Sequence, residues 1–397
     1  MKMITTECKA VISAILSVTE NKPVQLHSPV FKGNEKNYVI DCIDSTFVSS
    51  VGVYVDAFER RLEKYTGAKH VVAVMNGTAA LHICLLLAGV KPGHEVLVPS
   101  LSFVATANAV LYCSAIPHFA EINEHNFGID AKLLRKYLTE NTRQVSGECI
   151  NKNTNKVLKA LVPMHVFGHP SDLVEILLIC NEFNIVMVED AAESLGSFYQ
   201  GTHTGNLGLL GALSFNGNKI ITTGGGGAIM TNNSFLAEKA KYITTTAKAK
   251  HLWLYDHTEL GFNYRMPNIN AALGCAQLEG IDEILLKKRE LYSRYAKSFS
   301  SQSVAKLVKE PEHSTSNYWL QTIKLNKPSF ALRDEILRVT NHMGIATRPA
   351  WNLLPNLEHL KKFPRMRLTC SEDLLSRIIN IPSGIQICDS LNYSNLK

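Results

Sequence analysis

Between Val71 and Phe215 the chain repeats one pattern, a short run of consecutive apolar residues followed by a helix-length stretch. The runs are Val71 to Val74, Glu95 to Val98, Ile116 to Phe119, Ala160 to Pro163, Ile185 to Val188 and Gly211 to Phe215. Asn76-Gly77-Thr78 opens one of the intervening helices and Ser102 to Leu111 forms another. A strand that is apolar on both faces needs cover on both faces, and the alternating helices supply it. An α/β fold with a mostly parallel central sheet covered by helices is predicted. Ligands of such sheets sit beyond the carboxyl ends of the strands. Asn76, Ser100, His165, Asp190 and Ser214 all fall at such ends.

At 397 residues the chain is too long for one compact core,. Residues 1–30 are expected to form an N-terminal helical arm, with Val11, Ile12, Ile15 and Leu16 at helical spacing,. Residues 31–265 form the predicted large domain and 266–397 a smaller C-terminal α+β domain, with a helix after Pro267 and a second alternating region from Tyr318. Asn34 to Thr46 and Tyr54 to Tyr65 read as helices on either side of a loop carrying Ser49, Ser50 and Gly52. The polar stretch 140–158 reads as an exposed insertion. The composition, 46% apolar and 19% charged, is that of a soluble globular protein,. The formal charge of +6 is spread along the chain without a dense Lys/Arg run, so no nucleic-acid partner is expected, although the balance favours an anionic ligand,. No apolar stretch reaches about 20 residues and no signal peptide is evident, so no membrane association is expected. The nine cysteines form no CxxC pair and read as buried, reduced thiols of a cytoplasmic protein,.

The chemistry concentrates around Lys219. It follows the apolar strand ending in Ser214-Phe215 and precedes the run Gly224-Gly225-Gly226-Gly227. Such a glycine run lets backbone pass close to something bulky. A lysine kept near a dry site becomes a usable nucleophile. A buried amine, a hydroxyl shortly before it and a carboxylate at a strand end are the parts needed to hold pyridoxal 5'-phosphate. Asp190 reads either as a helix cap or as the partner of a protonated pyridine nitrogen. Glu193, one turn later, reads as a first-turn acid or as a contact to the ring hydroxyl. Gly77 and Thr78 open a helix whose free N–H groups suit a phosphate, with Ser214 reaching it from the opposite side. Phe103 reads as core or as a flat surface for a flat cofactor. His165 and His169 lack the carboxylates or thiols that a metal site would need. The glycine run precedes a strand, Ala228-Ile229-Met230, so it does not match a dinucleotide fingerprint,.

Together these pieces resemble the DegT/DnrJ/StrS nucleotide-sugar aminotransferases, a branch of the fold-type I pyridoxal-phosphate enzymes. The carriers are Asn76 to His82, Pro99 to Thr106, Glu189 to Gly196, Ser214-Phe215 with Lys219, and Gly261 to Met266. The resemblance implies that Lys219 forms the internal aldimine and moves protons, and that Asp190 pairs with the pyridinium. It implies that Gly77, Thr78 and Ser214 hold the phosphate, that Phe103 stacks on the ring and that Asn263 reaches in from the second subunit of a homodimer. Glu193 stands where many relatives carry Gln. Relatives that act as dehydrases carry His at the position of Lys219, which disfavours that activity, and the complete set disfavours a non-catalytic regulatory role. The stretch Leu26 to Glu35, the Ser49-Ser50-Val51-Gly52 loop and Arg348-Pro349-Ala350-Trp351 resemble members acting on UDP-linked 4-keto-6-deoxy-N-acetylhexosamines, with L-glutamate as amino donor. Ser49, Ser50, His165, Arg265 and Arg348 are then the candidate substrate contacts.

Overall fold

The computed structural model describes residues 4–20 and 22–389. Its centre is a seven-stranded sheet in the order His70–Val74, Gly227–Thr231, Leu210–Ser214, Val186–Asp190, Leu158–Leu161, Glu95–Pro99, Ile116–Ala120. The last five in this order run parallel. Gly227–Thr231 is antiparallel to both its neighbours. The segment joining it to Leu210–Ser214 contains no helix, so the chain doubles straight back instead of crossing over,. Apolar runs become central strands as the pattern requires, and Glu95–Pro99 is buried at every position. Helices pack on both faces, so the apolar side chains of the sheet fall into separate clusters.

A second sheet of four strands, in the order Ala305–Leu307, Gln321–Leu325, Ile378–Ile381, Arg348–Pro349, is wholly antiparallel. Helix Thr6–Thr19 lies in the same apolar cluster as this sheet, with Val11 and Ile15 packed among Leu291, Tyr295, Ile323 and Ile381. The segment expected as an arm is thus part of a core. Helix Asn268–Glu279 packs instead on Glu35–Asp44 and Val53–Thr66 beside the large sheet.

The stretch 140–158 departs from the exposed insertion expected. It forms a hairpin of Thr142–Val145 and Glu148–Asn151 whose Cys149 and Asn151 are buried. The cause is Glu95, a fully buried carboxylate at the start of a central strand. Asn151 Nδ2 donates to Glu95 Oε2 at 2.8 Å, His118 Nδ1 lies 2.9 Å from the same oxygen, and the Thr154 hydroxyl reaches Oε1. A buried carboxylate needs such partners, and the hairpin with the turn that follows it brings two of them, Asn151 and Thr154,.

All nine cysteines are free thiols, eight of them buried and Cys370 half-buried. Among the described residues no helix is long and apolar enough to cross a membrane.

Candidate active site

The carboxyl ends of the parallel strands open into a cavity of about 270 Å³. Gly77, Thr78, Phe103, Asp190, Glu193, Ser214 and Lys219 all line it, as do Met164, Asn218, Gly225, Trp319 and Trp351.

One wall is an anion cradle. Helix Gly77–Leu87 begins there, with the Asn76 side chain accepting from the Ala79 amide at 2.8 Å. The first-turn amides of Gly77 and Thr78 have no acceptor within the helix and carry its positive dipole end. Strand Leu210–Ser214 passes so close that a Cβ on Gly77 would lie 2.7 Å from the Ser214 Cβ. A Cβ on Gly227 would lie 2.4 Å from the Asn76 carbonyl carbon. Only glycine permits this approach, which gathers two amides, the Thr78 hydroxyl and the Ser214 hydroxyl at one place.

Asp190 ends its strand, buried. Thr106 Oγ1 donates to its Oδ2 at 2.8 Å and the Ala192 amide to its Oδ1 at 3.2 Å. Ser102 Oγ lies 2.6 Å from Thr106 Oγ1 and extends the chain. Burial pushes the Asp190 carboxyl above its usual pKa, and Thr106, the Ala192 amide and the Lys219 charge pull it back part of the way. A cationic ring nitrogen placed here would complete its charge pairing.

Lys219 reaches into the cavity from the loop after Ser214. Its Nζ lies 3.3 Å from Glu193 Oε1 and 4.2 Å above the centre of the Trp319 ring. Trp319 is fixed by its Nε1–H, which donates to the Asn218 carbonyl at 2.6 Å. Glu193 Oε2 accepts from the Phe167 amide at 2.9 Å. Burial raises the Glu193 carboxyl to about 7. Phe103 is 51% exposed, an uncovered aromatic face at the cavity, with Trp351 at 6.3 Å. The parts fit pyridoxal phosphate: an anion cradle, a buried carboxylate, an amine and a free aromatic face around one cavity of limited size.

Six expected site residues, Ser49, Ser50, His165, Asn263, Arg265 and Arg348, do not line this cavity. His165, expected to meet substrate, is fully buried; its Nε2 lies 3.1 Å from Glu189 Oε2 and its Nδ1 accepts from the Ser171 amide at 3.1 Å. Both ring nitrogens are occupied, so the histidine braces the strand ends, and the expectation is corrected. Burial pushes the Glu189 carboxyl up, but His165 and the Gly205 and Gly208 amides more than offset it. Ser49 and Ser50 lie apart from the cavity, and the Ser49 carbonyl accepts from the Asn268 amide at 2.5 Å. Arg265 turns its Nε to the exposed Asn263, whose Oδ1 accepts at 3.0 Å, so Asn263 also stands outside. Arg348 lines an adjoining cavity of about 560 Å³, which shares Asn218, Trp319 and Trp351 with the first. Its Nη1 donates to Asn341 Oδ1 and the Thr347 carbonyl, both at 2.7 Å.

Sequence reasoning missed Thr106, Trp319 and the connected second cavity. Thr106, one helical turn after Ser102, carried a local signal; Trp319 carried none.

The fold and the cavity define a pyridoxal-phosphate-dependent transferase. A family model described as the DegT/DnrJ/EryC1/StrS aminotransferase family matches residues 29–391, and the chain belongs to that family of sugar aminotransferases. It is 36% identical over 346 residues to a GDP-perosamine synthase of Caulobacter vibrioides, covering 85% of this chain and 87% of that protein. It is 31% identical over 333 residues to the UDP-4-amino-4,6-dideoxy-N-acetyl-beta-L-altrosamine transaminase of Campylobacter jejuni, covering 83% and 85%. The solved structure of Helicobacter pylori PseC, described as an aminotransferase involved in the biosynthesis of pseudoaminic acid, superposes with a TM-score of 0.82 at 25% identity, covering 91% of this chain and 94% of that one.

Proposed function

We propose that this aminotransferase moves an amino group from L-glutamate to C4 of a UDP-linked 4-keto-6-deoxy-N-acetylhexosamine, with Lys219 as its catalytic amine. The observation that carries the reading is the position of Lys219 Nζ at one cavity with the anion cradle and Asp190. The transaminase of Campylobacter jejuni, which by its name handles a UDP-linked 4-amino-6-deoxy sugar, supports the choice of substrate. A GDP-linked sugar is the second reading, favoured by the match to GDP-perosamine synthase.

Bound pyridoxal phosphate supplies an aldehyde and an electron-withdrawing ring that stabilises charge on a neighbouring carbon. In the proposed scheme Gly77, Thr78 and Ser214 hold its phosphate and Phe103 offers its face to the ring. Asp190, held by Thr106 and the Ala192 amide, would pair with the ring nitrogen and favour its protonated form. Lys219 would be the residue that holds the cofactor between turnovers. Its free Nζ would be the base that takes the proton from the donor's α-carbon and the acid that returns one on the sugar side. The sugar nucleotide extends into the second cavity past Trp351 towards Arg348.

A homodimer belongs to the proposal. Val53, Leu252, Trp253, Tyr255 and Leu260 expose 72%, 91%, 71%, 80% and 80% of their surface. Bare apolar side chains in such number mark a contact surface. Asn263 lies in the same stretch and would serve the partner's phosphate site. A cytoplasmic location belongs to the same proposal.

The test is direct. Borohydride reduction followed by peptide mapping is expected to label Lys219. Incubation with glutamate and UDP-, GDP- and dTDP-linked 4-keto sugars, read by mass spectrometry, is expected to give the amino sugar from the UDP substrate. A label on another residue overturns the amine, and turnover of the GDP substrate alone selects the second reading.

A further inference from the structure

Lys219 and Glu193 form a buried pair whose partners differ in kind. The Glu193 side chain is 1% exposed and that of Lys219 14%. One Glu193 oxygen, Oε2, is fixed by the Phe167 amide at 2.9 Å, which leaves Oε1 for the amine at 3.3 Å. The Trp319 ring closes the other side of the amine at 4.2 Å. Two charged groups face Glu193, Lys219 from the loop after strand Leu210–Ser214 and Asp190 from the end of strand Val186–Asp190. Two carboxylates, both largely buried, therefore share one cation at the wall of the cavity. A buried carboxylate stripped of its cation takes up a proton rather than remain charged.

We propose that Glu193 is the proton-holding partner of Lys219: its carboxylate takes a proton from the ammonium whenever the amine becomes nucleophile or base. One N–H bond breaks at Nζ, one O–H bond forms at Oε1, and the net charge of the site is unchanged. Both groups become neutral together, the change that a low-dielectric site favours. Trp319 holds the released ammonium over its face within reach of Oε1. A glutamine here would hold the amine but take no proton, so the acid at this position makes the availability of Lys219 depend on pH close to neutrality. The raised Glu193 pKa, about 7 through burial, is consistent with this assignment.

The inference rests on Lys219 being the residue that holds the cofactor, and the experiment separates the two. Protein loaded with pyridoxal phosphate is titrated across neutral pH while its visible band is recorded, for the wild type and Glu193→Gln. The wild type is expected to show an inflection close to neutrality that the variant loses. An inflection kept in Glu193→Gln, or absent from the wild type, overturns the proposal. A second measurement needs no variant: infrared difference spectra of the wild type before and after cofactor loading are expected to gain a protonated-carboxyl band, and its absence overturns the proposal equally. Borohydride labelling elsewhere than Lys219 brings down the underlying assignment; labelling at Lys219 without the inflection brings down proton sharing alone.

Discussion

Thr106→Val tests the electrostatics of the proposed cofactor site at one atom. Valine keeps the shape of threonine and removes only the hydroxyl that donates to Asp190 Oδ2 at 2.8 Å. Its neighbours Ser102 and Asp190 are buried, so no water replaces the donor without rearrangement. A hydrogen bond to a charged group is worth about 1.5–3 kcal/mol. If the bound cofactor needs the carboxylate, its dissociation constant rises roughly ten- to hundredfold. The same loss appears on the pH axis. Burial holds the Asp190 pKa above its usual value and Thr106 is the first group opposing that rise. Removing it raises the pKa further, because the largest group opposing the effect of burial is gone,. Cofactor affinity depends on the ionised form, so it fades as pH falls through this pKa, and in the variant it fades at a higher pH. Cofactor-free protein titrated with pyridoxal phosphate at several pH values, followed by the visible band, measures both effects. An unchanged dissociation constant with an unmoved acid limb would refute the claim that Thr106 keeps Asp190 charged.

Two further perturbations probe the cradle and the core. Gly77→Ala puts a methyl group 2.7 Å from the Ser214 Cβ, an overpacking that costs about 1–3 kcal/mol,. It is expected to weaken pyridoxal phosphate roughly tenfold or more and to spare pyridoxal, which has no phosphate; equal weakening of both in equilibrium titrations would show that the cradle does not hold the phosphate. Acid should destabilise the fold through His169 and His203, which burial holds neutral at about 4. Their folded pKa values lie below the unfolded value of 6.5, so stability present above 6.5 is lost as pH falls towards 4, by about 3 kcal/mol for each group,. Unfolding by urea across this range measures the loss. His203→Gln should remove about half of it and leave the His169 share, because His203 Nε2 accepts from the Gly196 amide and Nδ1 faces the Thr204 carbonyl, both roles a neutral amide can fill,.

Much of the sheet could be read from local pattern. Runs such as Val71 to Val74 and Glu95 to Val98 become strands because residues that must be buried on both faces have few other places to go,. Once strand ends are placed, Thr78, Asp190, Ser214 and Lys219 follow, since each lies within a few residues of an end. His165 satisfies the same rule and still turns away from the cavity, because Glu189 on the neighbouring strand captures its ring. Strand-end position fixes where a side chain starts; packing fixes where it points.

What the amino-acid order determined alone was the alternation of elements and the residues delivered to one edge of the sheet, both set by periodicities that act over a few residues. Tertiary structure decided the rest. Trp319 covers Lys219, and Arg348 and Trp351 build a second cavity, from segments a hundred residues or more further along the chain. Helix Thr6–Thr19 joins a core made by the other end of the chain, and the 142–151 hairpin turns inward to satisfy Glu95. These contacts carry no local periodicity. They form because buried charge needs a partner and apolar surface needs cover, and only the folded chain determines which distant group provides either.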